Sequence, residues 1–295
     1  MNAITGSMRR RPLVWFFGLA YAINAAAFAT HFIAPLKALS PLWLIGVFSP
    51  TLAALSVTAL TGGWPAVRHL LAGYARWRIG WVWCLAATSL AWAPLLVAFV
   101  YIALGHPPRG LPEGMTWGMY ALTLLTGWLT GPLAEETGWR GFALPRLQGQ
   151  MNALKANLLL GLLWAFWHVP QYLTGGVANG GMIPFPIFVP LTMGLAILFA
   201  WVFNNTRGSL AATTLMHYAF NFTGGHIGGL LGLVPPVVLY GAGAAILVFA
   251  GVVVFTAGPQ HLSRRPVDEL PIERPATDAA AGASQANLQP KALRH

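Results

Sequence analysis

The chain has 295 residues, of which 56% are hydrophobic and only 8% charged, against about 25% charged in an ordinary soluble domain. Between Arg11 and Asp268 the acids are Glu113, Glu135 and Glu136 alone, which argues against a water-soluble domain and for an integral membrane protein with several spans. The net charge of +10 is spread in ones to threes between apolar runs, so it fits basic loops at a membrane surface and offers no patch for nucleic acid.

Residues 1–11 form a short basic N-terminus ending in Arg9, Arg10 and Arg11, and the apolar run that follows is long enough to cross a bilayer rather than serve as a signal peptide. Further spans are expected at 41–61, bent at Pro50, at 81–104, and from Met115 to Glu136. Cys84 is the single cysteine and lies in the third of these, so no intrachain disulfide forms. Gly131 and Pro132 precede the carboxylates of the fourth span, where the missing proline donor kinks a helix. A loop carrying Arg140, Arg146 and Lys155 is expected next, followed by spans at 156–173, 185–203, 209–223 and 230–256.

Gly175, Gly176, Gly180 and Gly181 read as loop formers between the fifth and sixth spans. Residues 258–295 are poor in large apolar residues and rich in Pro, Ala and mixed charge, and are expected to be a disordered cytoplasmic tail. The expected architecture is therefore all-α, a bundle of about eight transmembrane helices over 12–257. With that count, Arg9 to Arg11, Arg68, Arg76, Arg78, Arg140, Arg146, Lys155, Arg207, Arg264 and Arg265 fall on one side of the bilayer. Lys37 and Arg109 fall on the other, so the positive-inside rule puts both termini in the cytoplasm, at the inner membrane of the cell.

Five polar side chains stand out inside the apolar segments. Glu135 and Glu136 sit in TGWLTGPLAEETGWRGF, His168 in LLLGLLWAFWHVPQYL, and His217 with Asn221 in SLAATTLMHYAFNF. Burying a carboxylate in hydrocarbon is expensive. Arg140, at i+4 from Glu136, offsets part of that cost on the same helical face, while Glu135 points about 100° away. In the expected orientation His168 lies ~18 Å and His217 ~14 Å along their helices from the inner face, so one pocket accounts for them together.

Two chemistries suit such a pocket. Glu135, His168 and His217 are suitable ligands for a catalytic Zn2+ with a water in the fourth position. Without a metal, Glu135 and His168 deprotonate a water while His217 and Asn221 stabilise an oxyanion. No HExxH, GxSxG or glycine-rich phosphate loop is present. Intramembrane Glu and His also serve proton-coupled transporters, and a scaffold for membrane helices is a further alternative, although no inverted repeat supports a carrier.

The same residues carry a resemblance. EETGWR at 135–140 resembles the EExxxR motif of the CPBP family, which includes CAAX prenyl endopeptidases and the bacteriocin-processing Abi proteins. WAFWH at 164–168 resembles its second motif, with Trp164 where that family commonly has phenylalanine. HYAFN at 217–221 resembles its HxxxN motif, and NNTRGSL at 204–210 the segment leading into it. The resemblance covers about residues 115–225. It implies an intramembrane endopeptidase with Glu135, His168, His217 and Asn221 as the catalytic set, Glu136 and Arg140 in support, and a membrane-associated protein or peptide as substrate.

Overall fold

The computed structural model describes residues 3–34, 40–107, 110–111, 113–174, 183–223 and 236–273, and over these the chain is helical without strands. A short helix α1 (Ala3–Arg10) leads into α2 (Pro12–Ala29). Then come α3 (Pro41–Val47), α4 (Ser49–Leu71), α5 (Trp81–Ala103) and α6 (Trp117–Trp128). The short helices α7 (Ala134–Glu136) and α8 (Leu144–Gln148) precede α9 (Ala153–Trp167) and α10 (Val169–Leu173). The order closes with α11 (Phe185–Asn205), α12 (Leu210–Asn221) and α13 (Pro236–Ala257). Local chemistry fixes several starts: Ser40, Thr116, Asn152 and Ser209 each accept the backbone N–H of the residue three positions on. Pro12 and Pro41 occupy first turns, where the missing N–H costs nothing.

Four helical stretches are long and apolar enough to cross a bilayer: Pro12–Phe32, Trp81–Ala103, Phe185–Asn205 and Tyr240–Ala257. A fifth is added if Pro41–Val47 and Ser49–Ala75, bent 67° to each other, are taken as one. The chain is thus an all-α, polytopic membrane protein, but the expected count of about eight spans is not reached among the described residues. Two of the expected spans are short, α9 and α12 having 15 and 12 residues, below the roughly 20 needed to cross alone, and the path that begins with α6 alternates between α and π turns.

Three local expectations are also corrected. The break in the second span falls at Phe48, between α3 and α4, and α4 runs on to Leu71 through a non-helical Gly63 rather than giving way to a loop. The helical path of the fourth segment continues from Trp117 to Gln148, so Arg140 and Arg146 lie on it and not in a loop. Residues 258–273 are folded rather than disordered. Asn204 Nδ2 donates to the carbonyl of His261 at 2.7 Å and Asn205 Nδ2 to that of Leu262 at 3.1 Å. Glu269 takes Arg207 and Arg265, and Glu273 takes Arg146 at 2.9 Å. The two guanidinium partners hold the Glu269 carboxyl below its ordinary range. Lys37, Arg109, the four glycines between 175 and 181, and residues 274–295 lie outside the described residues.

Helix α11 is the centre of the bundle, with 61% of its membrane-length window buried against 28%, 22% and 17% for the other three. Helix α9 lies along it, and the approach depends on Gly161. A Cβ there would stand 2.6 Å from the Met193 Cα. We predict that Gly161→Ala separates α9 from α11 and costs about 1–3 kcal/mol, as overpacking does. The readout is the midpoint of unfolding in detergent, and an unchanged midpoint would contradict the packing described. The substitution lies one turn before Trp164, so it also disturbs the buried polar cluster that α9 helps to build.

Candidate active site

The stretch bearing the two carboxylates is α-helical only at Ala134–Glu136; on either side, at Leu129–Leu133 and Thr137–Ala143, the backbone widens into π turns. Pro132 has no N–H to give, and it sits inside the first of these widened turns. Such insertions re-aim the side chains that follow, which is why they recur at functional sites. The segment is pressed onto α4 at Gly138, where a Cβ would lie 2.6 Å from the Pro50 carbonyl carbon, so no larger residue fits. A hydrogen bond of 2.9 Å between Tyr74 and Thr137 hydroxyls ties the same turn to the end of α4.

Glu135 is 5% exposed, and its Oε2 accepts two indole N–H groups. Trp164 Nε1 donates from α9 at 2.5 Å and Trp139 Nε1, one turn along the same segment, at 3.3 Å. Glu136 is fully buried and turns to other partners, as the offset of neighbouring helical positions predicts. Its Oε1 accepts Arg140 at 3.0 Å and His217 Nδ1 at 2.8 Å. The Arg140 guanidinium, itself fully buried, is covered by the rings of Trp164 and Phe199, with centroids 4.5 and 4.6 Å away. Aromatic faces stabilise a desolvated cation. Two carboxylates, one guanidinium and one imidazole thus form a compact charged cluster walled by aromatic rings.

His168 closes α9. The backbone N–H of His168 turns back to the Ala165 carbonyl rather than to that of Trp164, and the freed Trp164 carbonyl accepts from His168 Nδ1 at 2.9 Å. A carbonyl can only accept, so Nδ1 carries the proton and a neutral ring keeps its Nε2 lone pair available. The His168 side chain is only half-buried, with the rings of Trp167 and Phe188 at 4.8 and 5.0 Å. Asn221, also half-buried, lies one turn beyond His217 on α12, and its amide packs on Gly131, where a Cβ would be 2.7 Å from Nδ2. The elements therefore gather in one region. Glu135 and His168 share Trp164, Glu136 joins His217, and Asn221 abuts the π turn that leads to the carboxylates.

Zinc ligation requires Glu135, His168 and His217 to converge on one point. Both imidazoles have Nδ1 engaged by an oxygen, an orientation that metal-bound histidines also use. Among the described residues, however, no three His, Cys, Asp or Glu side chains are placed to hold one ion. A separate cavity of about 1380 Å³ is lined by Arg76, Arg146, Arg207, Arg265 and Glu269, and by none of the residues just described.

Two residues of this cluster were not among the candidates read from the sequence. Trp164 and Trp139 both donate to Glu135. The signal was a spacing of four: Trp139 follows Glu135 by one turn, and Trp164 precedes His168 by one turn.

Comparison with known proteins covers this same region. Residues 116–223 match the family described as type II CAAX prenyl endopeptidase Rce1-like. The protein named CAAX prenyl protease 2 of Methanococcus maripaludis is 26% identical over 126 residues, covering 41% of this chain and 45% of that relative. The chain thus matches less than half of the relative's length. All six residues of the buried cluster and its neighbours, Glu135, Glu136, Arg140, His168, His217 and Asn221, lie inside the matched stretch. Residues 116–223, then, are matched as a Rce1-like domain of the CPBP/Abi family.

Proposed function

We propose that the protein is an intramembrane endopeptidase that hydrolyses a peptide bond of a membrane-associated polypeptide with an activated water. The observation that carries the reading is the joining of Glu135 and His168 through Trp164, beside a charged His217–Glu136–Arg140 cluster, inside a stretch matched to an endopeptidase family. In the proposed reaction a water gives its proton to Glu135 or to His168 Nε2, and its oxygen attacks the scissile carbonyl carbon. The negative charge that develops on the carbonyl oxygen is met by the Asn221 amide and by a proton on His217 Nε2. Collapse breaks the C–N bond, and the proton taken from water passes to the leaving amine. Glu136 and Arg140 act on His217, whose Nδ1–H they fix in direction.

The relative's name points to prenylated CAAX-type C-termini, and a prenylated CAAX peptide is the narrower form of this substrate class. The matching orientation has both termini in the cytoplasm, with the site reached from that side. The test is cleavage of a membrane-peptide library, prenylated CAAX peptides included, by purified protein in liposomes. Cleavage by wild type and none by Glu135→Gln and His168→Ala supports the reading; equal cleavage by all three ends it. Zinc on Glu135, His168 and His217 is the metal form of the proposal. Stoichiometric zinc with loss of turnover on chelation would establish it, whereas turnover by demonstrably metal-free protein would exclude it.

A further inference from the structure

The geometry points to Trp164 as the residue that positions both Glu135 and His168, through two different atoms. Its indole N–H donates to Glu135 Oε2, and its backbone carbonyl accepts from His168 Nδ1. The carbonyl is available because α9 ends there, with the His168 N–H bonded to Ala165 instead. A third contact fixes the ring itself. One face covers the Arg140 guanidinium at 4.5 Å, and the ring meets the His217 imidazole edge-on at a centroid distance of 5.4 Å. At 3% exposure, and held in this way, the indole has little freedom to swing away.

The consequence is an asymmetric carboxylate. With Trp164 and Trp139 both donating to Oε2, rotation of the Glu135 carboxylate is arrested and Oε1 is the oxygen left to face a water or a peptide. On His168 the arrested tautomer leaves Nε2 as the basic atom. One side chain thereby sets which atom of each proposed base is presented. Trp164 touches neither water nor substrate in this scheme, so it is a positioning residue. The inference rests on the endopeptidase reading for its effect on rate, but not for the hydrogen bond itself.

Trp164→Phe is the test, because it keeps a ring over Arg140 and against His217 while removing the donor. We expect kcat to fall roughly 10- to 100-fold, the worth of a hydrogen bond to a charged group, with KM and the unfolding midpoint nearly unchanged. Trp139→Phe, which removes the longer bond, is expected to fall less. A spectroscopic readout stands apart from activity. In protein with 13C-labelled glutamate, the infrared carboxylate band assigned to Glu135 by its loss in Glu135→Gln is expected to shift in Trp164→Phe. Should Trp164→Phe fail to fold, benzothienylalanine at 164, which has sulfur in place of the N–H, gives the same comparison with the shape retained. A shifted band in a protein that cleaves nothing would uphold the positioning and count against the peptidase reading. An unmoved band, or a kcat equal to wild type in an active enzyme, would overturn the inference.

Discussion

Glu135→Gln is expected to lower kcat/KM by about 10²–10⁴-fold, the range that a positioned general base contributes, if Glu135 takes the proton as proposed. The substitution is chosen for what it leaves in place. A glutamine oxygen still accepts from Trp164 and Trp139, so the two indoles and the packing around them stay where they are. What it removes is a basic oxygen and a negative charge, and about 3–5 kcal/mol of barrier is at stake. The measurement is turnover of a cleaved membrane peptide, with the unfolding midpoint followed alongside. Turnover within a factor of a few of wild type would remove Glu135 from the chemistry and, with it, the proposed attack by water.

The second large effect concerns stability. Arg140→Met leaves Glu136 fully buried with the His217 imidazole as its remaining hydrogen-bond partner. Breaking a buried pair by removing one partner costs about 3–5 kcal/mol, because the other charge is stranded without water. Methionine is long enough to fill the space between the Trp164 and Phe199 rings, so the loss is electrostatic rather than a cavity. The double variant Arg140→Met with Glu136→Gln is therefore expected to recover most of the lost stability, since a neutral replacement of both partners is often tolerated. Denaturation of wild type and the two variants in mixed micelles decides the matter. If Arg140→Met resists unfolding as wild type does, the pair contributes nothing and Glu136 is stabilised by other means.

Composition made the class of protein legible, because 8% charged residues leave few other places for the chain than a bilayer. The apolar runs at Pro12–Ala29, Trp81–Ala103 and Phe185–Asn205 were located to within a few residues from hydropathy alone. Hydropathy could not say that α9 and α12 stop short of bilayer length, since it measures the run of apolar residues and not where the helix ends. Nor does it distinguish a proline kink from a π turn at Pro132, because the difference lies in hydrogen-bond register and not in residue type. For the candidate site, the i+4 spacing of Glu136 and Arg140 foretold a shared face, and the structure places them 3.0 Å apart. The contacts of Glu136 with His217 and of Trp164 with Glu135 cross between helices. One sequence carries no direct record of such meetings. The folded segment 258–273 was missed because its anchors are backbone carbonyls and ion pairs to arginines far away in the chain, which composition does not register.

The long separations in this cluster bear on how the protein is made. Glu135 and Glu136 leave the ribosome 29 residues ahead of Trp164 and 81 ahead of His217, respectively. Until those later helices arrive, the two carboxylates have Trp139 and Arg140 of their own segment to accompany them, and hydrocarbon is a poor resting place for them. We predict that lateral release of this segment from the translocon waits for α12. In pulse-chase experiments, nascent chains cut before Leu210 should then be degraded faster than chains cut after Asn221. Equal lifetimes would mean that the segment settles in the bilayer without its later partners.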